Sequence, residues 1–326
     1  MASEDRIRIG ISRCLLGDAV RWDGGHKRDS FLADTFGRYV DWVPVCPEVE
    51  SGLPVPRETM RLVASPEGGA TVNGRLVRLV FPRSHGDWTD EMVAYSARRV
   101  KALAVDDLDG FILKNNSPSC GMERVKIHHE NGQAEKKGRG LFAEALLARY
   151  PDLPVEEEGR LSDPRLRENF VERVFAYRRL KALLAGRWTV GDLVRFHTAH
   201  KLTLLAHQPS AYRELGRLVA GAKGMPRAAL RDEYVGSFMR AMRVIATPAK
   251  HANVLQHMLG HLRGLIDPGD RDELLGLIDD HRRGLVPLVV PITLLRHHVR
   301  RLGVAYLAGQ TYLAPHPREL ALRNHV

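Results

Sequence analysis

The sequence predicts an α/β domain with a Rossmann-like parallel sheet, followed by an all-α domain. Three observations carry this expectation. Short apolar runs alternate with helical patterns through about residue 155, and nearly every segment beyond residue 161 has helical periodicity alone. The charge balance also changes between the two parts. Residues 1–160 carry 23 Lys and Arg against 25 Asp and Glu, whereas residues 161–326 carry 26 against 14.

Taken in order, Ile7–Ser12 (IRIGIS) reads as a buried strand and Arg28–Tyr39 as a helix. Asp41–Val45 is expected as a second strand and Leu76–Val80 as a third. Glu91–Val105 has helical spacing, and the β-rich run Gly110–Leu113 (GFIL) follows it. Leu141–Tyr150 is a further helix and Leu153–Val155 a last short strand. Strands alternating with helices imply a parallel sheet covered on both faces, with sites at the carboxyl ends of its strands. The acidic run Glu156–Glu158 and the pair Asp163–Pro164 mark the boundary, giving domains over 1–160 and 161–326. Beyond it the helical segments are Leu166–Leu184, Val190–His207, Tyr212–Ala222, Asp232–Arg243, Ala249–Ile266 and Arg271–Arg282, with Pro and Gly mostly between them.

Composition narrows the class. With 326 residues, 44% hydrophobic and 27% charged, the chain has the make-up of a soluble globular protein. The first residues contain no apolar core of a leader peptide, so none is expected. The most apolar stretch, Gly284–Leu295, is broken by Pro287 and Pro291, so no membrane span is expected and the setting is read as cytoplasmic. The net charge of +10 resides in the second half, which also holds 11 of the 15 histidines. One half for chemistry and another for an anionic partner, most simply nucleic acid, is the division this suggests.

Only three cysteines occur, Cys14, Cys46 and Cys120, separated by 32 and 74 residues. Their odd number argues against a disulfide framework. Structural zinc sites use close pairs, which are lacking, and three scattered cysteines alone read as small buried hydrophobes. Their neighbours change that reading. Each cysteine follows an apolar run, in IGISRCLLG, VPVCPEVESGLPVPR and KNNSPSCG, with Gly or Pro beside it. Three strand ends in a parallel sheet can converge on one point. Iron–sulfur clusters take four thiolates, so three can hold a 4Fe–4S cluster with one iron left open as a Lewis acid for soft sulfur.

The segments SRCLLGDAVRWDGG, VCPEVESGLPVPRE and LKNNSPSCG resemble the three signature segments of the thiouracil desulfidase family, over roughly residues 6–155. The resemblance implies an α/β protein whose Cys14, Cys46 and Cys120 hold a 4Fe–4S cluster, and which replaces the sulfur of a thiouracil with oxygen. Glu48 matches the family's acidic residue beside the cluster, for general acid–base work on water or the departing sulfur. Glu50 is a local rival for that role. Ser117 matches a serine near the substrate base, while Ser119 is placed to bond a cluster sulfur. Trp22 stands where the family commonly has tyrosine, to stack on a base or cover the cluster. Arg57 and Lys114 are read either as contacts for a substrate phosphate or as members of surface ion pairs.

The helical half resembles a domain described as of unknown function, around FHTAHKLTLLAHQPSAYRELGRLVA and LLRHH…YLAPHPRELALRN. The fusion looks like bacterial desulfidases that remove 4-thiouridine from transfer RNA, so thiolated tRNA is the expected partner. Arg187, Lys201, Arg213, Arg217, Lys223, Arg227, Arg240, Arg243 and Lys250, with Phe196, Tyr212 and Phe238 among them, are the expected RNA surface. His197, His200 and His207 share one helix, and His257 and His261 are spaced i,i+4. Partly buried or RNA-facing imidazoles are preferred there to a metal pair. Three rivals stand beside the tRNA desulfidase. One is a desulfidase of free thiouracil or its nucleotides, with the helical half for dimerisation. The others are a non-catalytic, cluster-containing RNA sensor, and a chain that holds zinc or nothing.

Overall fold

The structure, a computed structural model, describes residues 6–325. Residues 1–5, on which the leader expectation rests, lie outside it. The chain forms two compact units, divided between Ser162 and Asp163. The first is α/β and the second all-helical, as the alternation of patterns predicts.

The first unit is organised by a four-stranded sheet whose neighbours all run parallel. Its strands are β1 (Ile7–Ser12), β2 (Val40–Val45), β6 (Gly110–Leu113) and β9 (Val155–Glu157), in the order β2-β1-β6-β9. The strands β1 and β6 are central, which explains why Ile9, Ile11, Phe111, Ile112 and Leu113 are wholly buried and why their sequences are nearly all apolar. A short helix, α1 (Pro47–Glu50), follows β2 directly, with Pro47 at its first position where no amide hydrogen is missed. The helices α2 (Thr89–Ala102) and α3 (Leu141–Arg149) pack on each other and bring Tyr95 and Phe142 beside Phe111 of the sheet.

A second, five-stranded sheet has no counterpart in the sequence-based expectation. It consists of β3 (Arg61–Ala64), β4 (Ala70–Val72), β5 (Arg75–Val80), β7 (Val125–His128) and β8 (Ala134–Gly138), in the order β4-β5-β3-β7-β8. All its pairs are antiparallel except β3 with β7. The strand expected at Leu76–Val80 therefore exists but belongs here and not to the parallel sheet, because its register pairs it with Arg61–Ala64. The helix expected over 28–39 is also corrected. The segment makes one π turn, Phe31–Thr35, then a 3-10 turn, Phe36–Arg38.

The second unit contains α4 (Pro164–Leu184), α5 (Val190–His207), α6 (Pro209–Ala220), α7 (Arg227–Met242), α8 (Pro248–His261), α9 (Pro268–Arg282), α10 (Val289–Arg301) and α11 (Ala305–Ala308). Thr189 and Asp192 form a capping box at the start of α5, and Asp163, Thr247 and Asp267 cap α4, α8 and α9. The helix α10 is masked in the sequence by its prolines; Pro291 falls in the first turn, where proline is tolerated. The segment after α11 is tied to α4. Arg323, buried, donates to Glu168 at 3.0 Å and to the Tyr312 carbonyl at 2.7 Å, with Glu172 at 3.7 Å. Among the described residues no helix is long and apolar enough to cross a membrane.

Candidate active site

A cavity of about 400 Å³ opens at the carboxyl ends of the parallel strands β1, β2 and β6. Cys14 lies two residues beyond β1, Cys46 directly after β2, and Cys120 in the loop after β6. All three are buried, and all three line the cavity together with Glu48, Ser117 and Ser119. Residues 106 positions apart in sequence are thus brought together by three strand ends, as expected for a parallel sheet.

Each cysteine sits on backbone shaped for it. After Cys14 the chain turns at Gly17, whose φ of 109° is a left-handed conformation that glycine adopts without strain. The Cys46 amide donates to Glu50 Oε1 at 2.8 Å, closing the start of α1 on itself. The Cys120 loop is gripped by the first turn of α3. Gly140 N donates to the Gly121 carbonyl at 2.7 Å and Phe142 N to that of Ser119 at 3.0 Å. A Cβ on Gly140 would lie 2.3 Å from the Ser119 carbonyl, so only glycine permits this approach.

The thiols raise one another's pKa. Burial pushes Cys14 up to about 11, with the Cys46 thiol adding to it. Burial also raises Cys46, partly offset by the Val49 and Glu48 amides at the start of α1. Cys120 is raised most, by burial first and by Glu48 second, although the Ser12 hydroxyl pulls it back. Three thiolates in this cavity therefore call for positive charge between them. Among the described residues no three His, Cys, Asp or Glu side chains are arranged round a single metal ion. The donor set and the volume fit a thiolate-bound iron–sulfur cluster instead.

Glu48 and Glu50 diverge clearly. Glu48 Oε1 accepts from Ser119 Oγ at 2.7 Å and from Ser117 Oγ at 3.4 Å, while Oε2 is held by Arg57. The Arg57 side chain, only 3% exposed, also donates to the carbonyls of Val20 and Pro54. It thereby ties the loop after Cys14 to Glu48. Glu50 does not line the cavity. It accepts from the Cys46 amide and from Tyr95 Oη at 2.7 Å, and pairs with Arg99 at 3.3 Å. Its role is to brace the Cys46 turn. Replacing Glu50 with Ala is expected to cost about 1–3 kcal/mol of stability, because buried donors lose their acceptor. The check is a lowered thermal midpoint.

The two cations nearest the motifs are ion-paired. Arg57 pairs with Glu48, and Lys114 pairs with Glu158, which follows β9. Trp22 lines the cavity and is 45% exposed at its mouth, well placed to cover a flat ring. Ser12, at the end of β1, is a site residue that sequence reasoning misses. It lines the cavity and accepts from Lys114 N at 2.9 Å, and its only signal is a polar residue closing an apolar strand.

The helical half departs from its expected surface. Phe238 is fully buried and Phe196 packs against it at 5.4 Å and on His200 at 4.0 Å, so both belong to the core. His197, His200 and His207 are likewise buried, with partners inside the protein. Helical periodicity marks such residues as one face without saying which way it points.

A family model described as 2-thiouracil desulfurase matches residues 9–158, and one described as a protein of unknown function matches residues 201–317. YbgA, an uncharacterised protein of Escherichia coli, is 35% identical over 156 residues, which are 47% of this chain and 90% of YbgA. YbbK, an uncharacterised protein of Bacillus subtilis, is 29% identical over 159 residues, 48% of this chain and 98% of YbbK. The solved structure of TudS, a 4Fe–4S-dependent thiouracil desulfidase, is 30% identical, covering 48% of this chain and 94% of TudS with a TM-score of 0.37. The chain belongs to the 2-thiouracil desulfurase family, and joins to that half a helical domain of unknown function.

Proposed function

We propose that this protein converts 4-thiouridine in transfer RNA to uridine, with release of sulfide and without net redox change, in the cytoplasm. The observation that carries the chemistry is the convergence of Cys14, Cys46, Cys120, Glu48, Ser117 and Ser119 on one cavity. The three thiolates would hold a 4Fe–4S cluster, which supplies one iron free of protein ligands as a soft Lewis acid for the thiocarbonyl sulfur.

The chain's own groups supply the rest. Glu48 Oε1 faces the two serine hydroxyls, because Arg57 occupies Oε2. This oxygen is the proton acceptor for a water that adds to C4 of the base. Addition of water and departure of the sulfur as hydrosulfide exchange C=S for C=O. Ser119 and Ser117, 2.9 Å apart, form a short relay between Glu48 and the Cys120 amide, to which the Ser117 hydroxyl is bonded at 3.1 Å. Trp22 at the mouth would cover the ring and limit bulk water.

RNA as the substrate is supported by the excess of 26 Lys and Arg over 14 Asp and Glu in residues 161–326. A second reading, with free thiouracil or its nucleotides as substrate, has its own support, since every cavity residue lies between Ser12 and Cys120. Anaerobic incubation of reconstituted protein with bulk thiolated tRNA separates the two. Loss of the 4-thiouridine absorbance with matching sulfide, absent in Cys120→Ala, is the expected result. An unchanged band with an intact cluster sinks the tRNA substrate and leaves the free nucleotide.

A further inference from the structure

Most histidines of the helical half are spent on the interior, but His257, His261 and His297 are exposed. His257 and His261 lie one turn apart on α8, and both are exposed. Their rings meet edge to face at 5.2 Å, and His261 packs against Tyr306 of α11 with centroids 4.9 Å apart. Tyr306 is itself 36% exposed, and Tyr212 at the start of α6 is close enough to raise its pKa after burial has done so. Three ring systems thus form a continuous exposed patch. Among the described residues neither His257 nor His261 has a hydrogen-bond or ion-pair partner on its ring nitrogens, in contrast to buried His200, His207 and His251.

Two segments that supply this patch carry no carboxylates, whereas α9 between them carries Asp270, Asp272, Glu273, Asp279 and Asp280, with Asp270 pairing to Arg301 and Asp279 to Arg282 and Arg283. From Tyr234 to Ile266, which includes all of α8, there is no Asp or Glu, while Arg240, Arg243, Lys250 and Arg263 are present. From His281 to Arg318, which includes α10 and α11, there is again none, against Arg282, Arg283, Arg296, Arg300, Arg301 and Arg318. Arg213 next to Tyr212, Arg263 two residues beyond His261, and Arg300 before α11 are all exposed. Exposed aromatic rings with exposed arginines beside them suit single-stranded nucleic acid, where bases stack on rings and phosphates meet cations.

We propose that His257, His261 and Tyr306 form a stacking platform for an unpaired nucleotide of an RNA, whose phosphates are held by the exposed arginines beside it, Arg213, Arg263 and Arg300. The inference rests on the tRNA reading above and adds the face that carries it. Stacking does not depend on salt as phosphate contacts do. Loss of Tyr306 therefore shifts affinity by the same factor at every salt concentration, whereas loss of Arg263 reduces the salt slope.

The test is binding of labelled bulk tRNA to full-length protein by fluorescence anisotropy at low and moderate salt, with Tyr306→Ala, Tyr306→Phe and His261→Ala compared. Tyr306→Ala is expected to weaken binding about ten-fold, with an unchanged salt slope, and Tyr306→Phe to bind like the wild type. His261→Ala, at an exposed position that the fold does not need, is expected to weaken binding in the same sense. Turnover of 4-thiouridine monophosphate should be unchanged in all three, since the cavity residues are untouched. Tyr306→Ala and His261→Ala that both bind as tightly as the wild type would overturn the platform while leaving the tRNA reading intact. A wild type that does not bind tRNA removes that reading and the platform with it.

Discussion

Replacing Glu48 with Gln is expected to lower kcat by about 10²–10⁴-fold, the usual contribution of a positioned acid or base. The size follows from geometry. Among the described residues Oε1 is the only carboxylate oxygen bonded to Ser117 and Ser119 in the cavity, and Glu50, two residues on, is turned away onto Tyr95 and Arg99. The substitution keeps the shape and an acceptor oxygen, yet it leaves the buried Arg57 guanidinium without its counter-charge. A stability loss of about 1–3 kcal/mol accompanies it for that reason. Iron and acid-labile sulfide content therefore have to be measured beside kcat. The expected pattern is unchanged cluster content with collapsed turnover. A variant that turns over within about ten-fold of wild type would remove Glu48 from proton transfer. Loss of cluster and turnover together would instead give Glu48 a structural task, as the partner that anchors Arg57 and the loop after Cys14.

How far the sequence reveals this architecture depends on what a segment needs in order to form. The strands IRIGIS and GFIL are legible because the interior of a parallel sheet demands continuous apolar runs, and the buried Ile9, Ile11 and Phe111 supply them. The second sheet is not legible. Ala134–Gly138 reads AEKKG, three charged residues in five, and it becomes a strand only because Val125–His128 offers it a ladder. Parallel pairing of Leu62 with Ile127 joins residues with no local signal of each other. Gly37 hides a similar context effect. It fits closely against the Leu32 carbonyl and the Trp42 ring, 3.1 and 3.0 Å from where a Cβ would sit, and the apparent helix around it resolves into π and 3-10 turns.

The site divides in the same way. Cysteines beside Gly and Pro after apolar runs are a local signal, so the three thiols are readable from the order of residues alone. Which glutamate faces them is not, since Glu48 and Glu50 are two residues apart on one short helix. Only the positions of Tyr95 and Arg99, 45 and 49 residues further on, assign Glu50 to bracing. Arg57 and Lys114 illustrate the same limit. Their carboxylate partners come from α1 and from the end of β9, and neither pairing leaves a periodic trace in the sequence.

The helical half is expected to be sensitive to mild acid. Burial lowers the pKa of His197 and His316 to about 4 and of His200 to about 3, and it takes His251 well below the ordinary value of 6.5. Each is neutral in the fold and protonated in the unfolded chain below pH 6.5, so each contributes stability that is present above pH 6.5 and is lost as pH falls. Glu168 works the other way. Burial, against the pull of Arg323, raises it to about 7, so the fold takes up a proton as pH drops towards 4.5 and is stabilised by it. Burial alone would raise Glu172, but the His207 hydrogen bond and Arg323 outweigh it and hold this carboxyl below the usual range, so its own loss begins only below pH 4.5. Four imidazoles against one carboxyl leave the unfolded chain three protons ahead. At about 1.4 kcal/mol per proton and pH unit, ~6 kcal/mol is lost between pH 7 and pH 5. That is a large share of an ordinary domain stability of about 5–15 kcal/mol. Denaturant titration followed by far-UV ellipticity, repeated across this range, measures the slope. His200→Gln, which keeps an acceptor for Arg179 but cannot titrate, should flatten it by about a third. Stability that stays level from pH 7 to pH 5 would mean that these imidazoles reach water in the folded protein, and that the polar interior of the helical half is open.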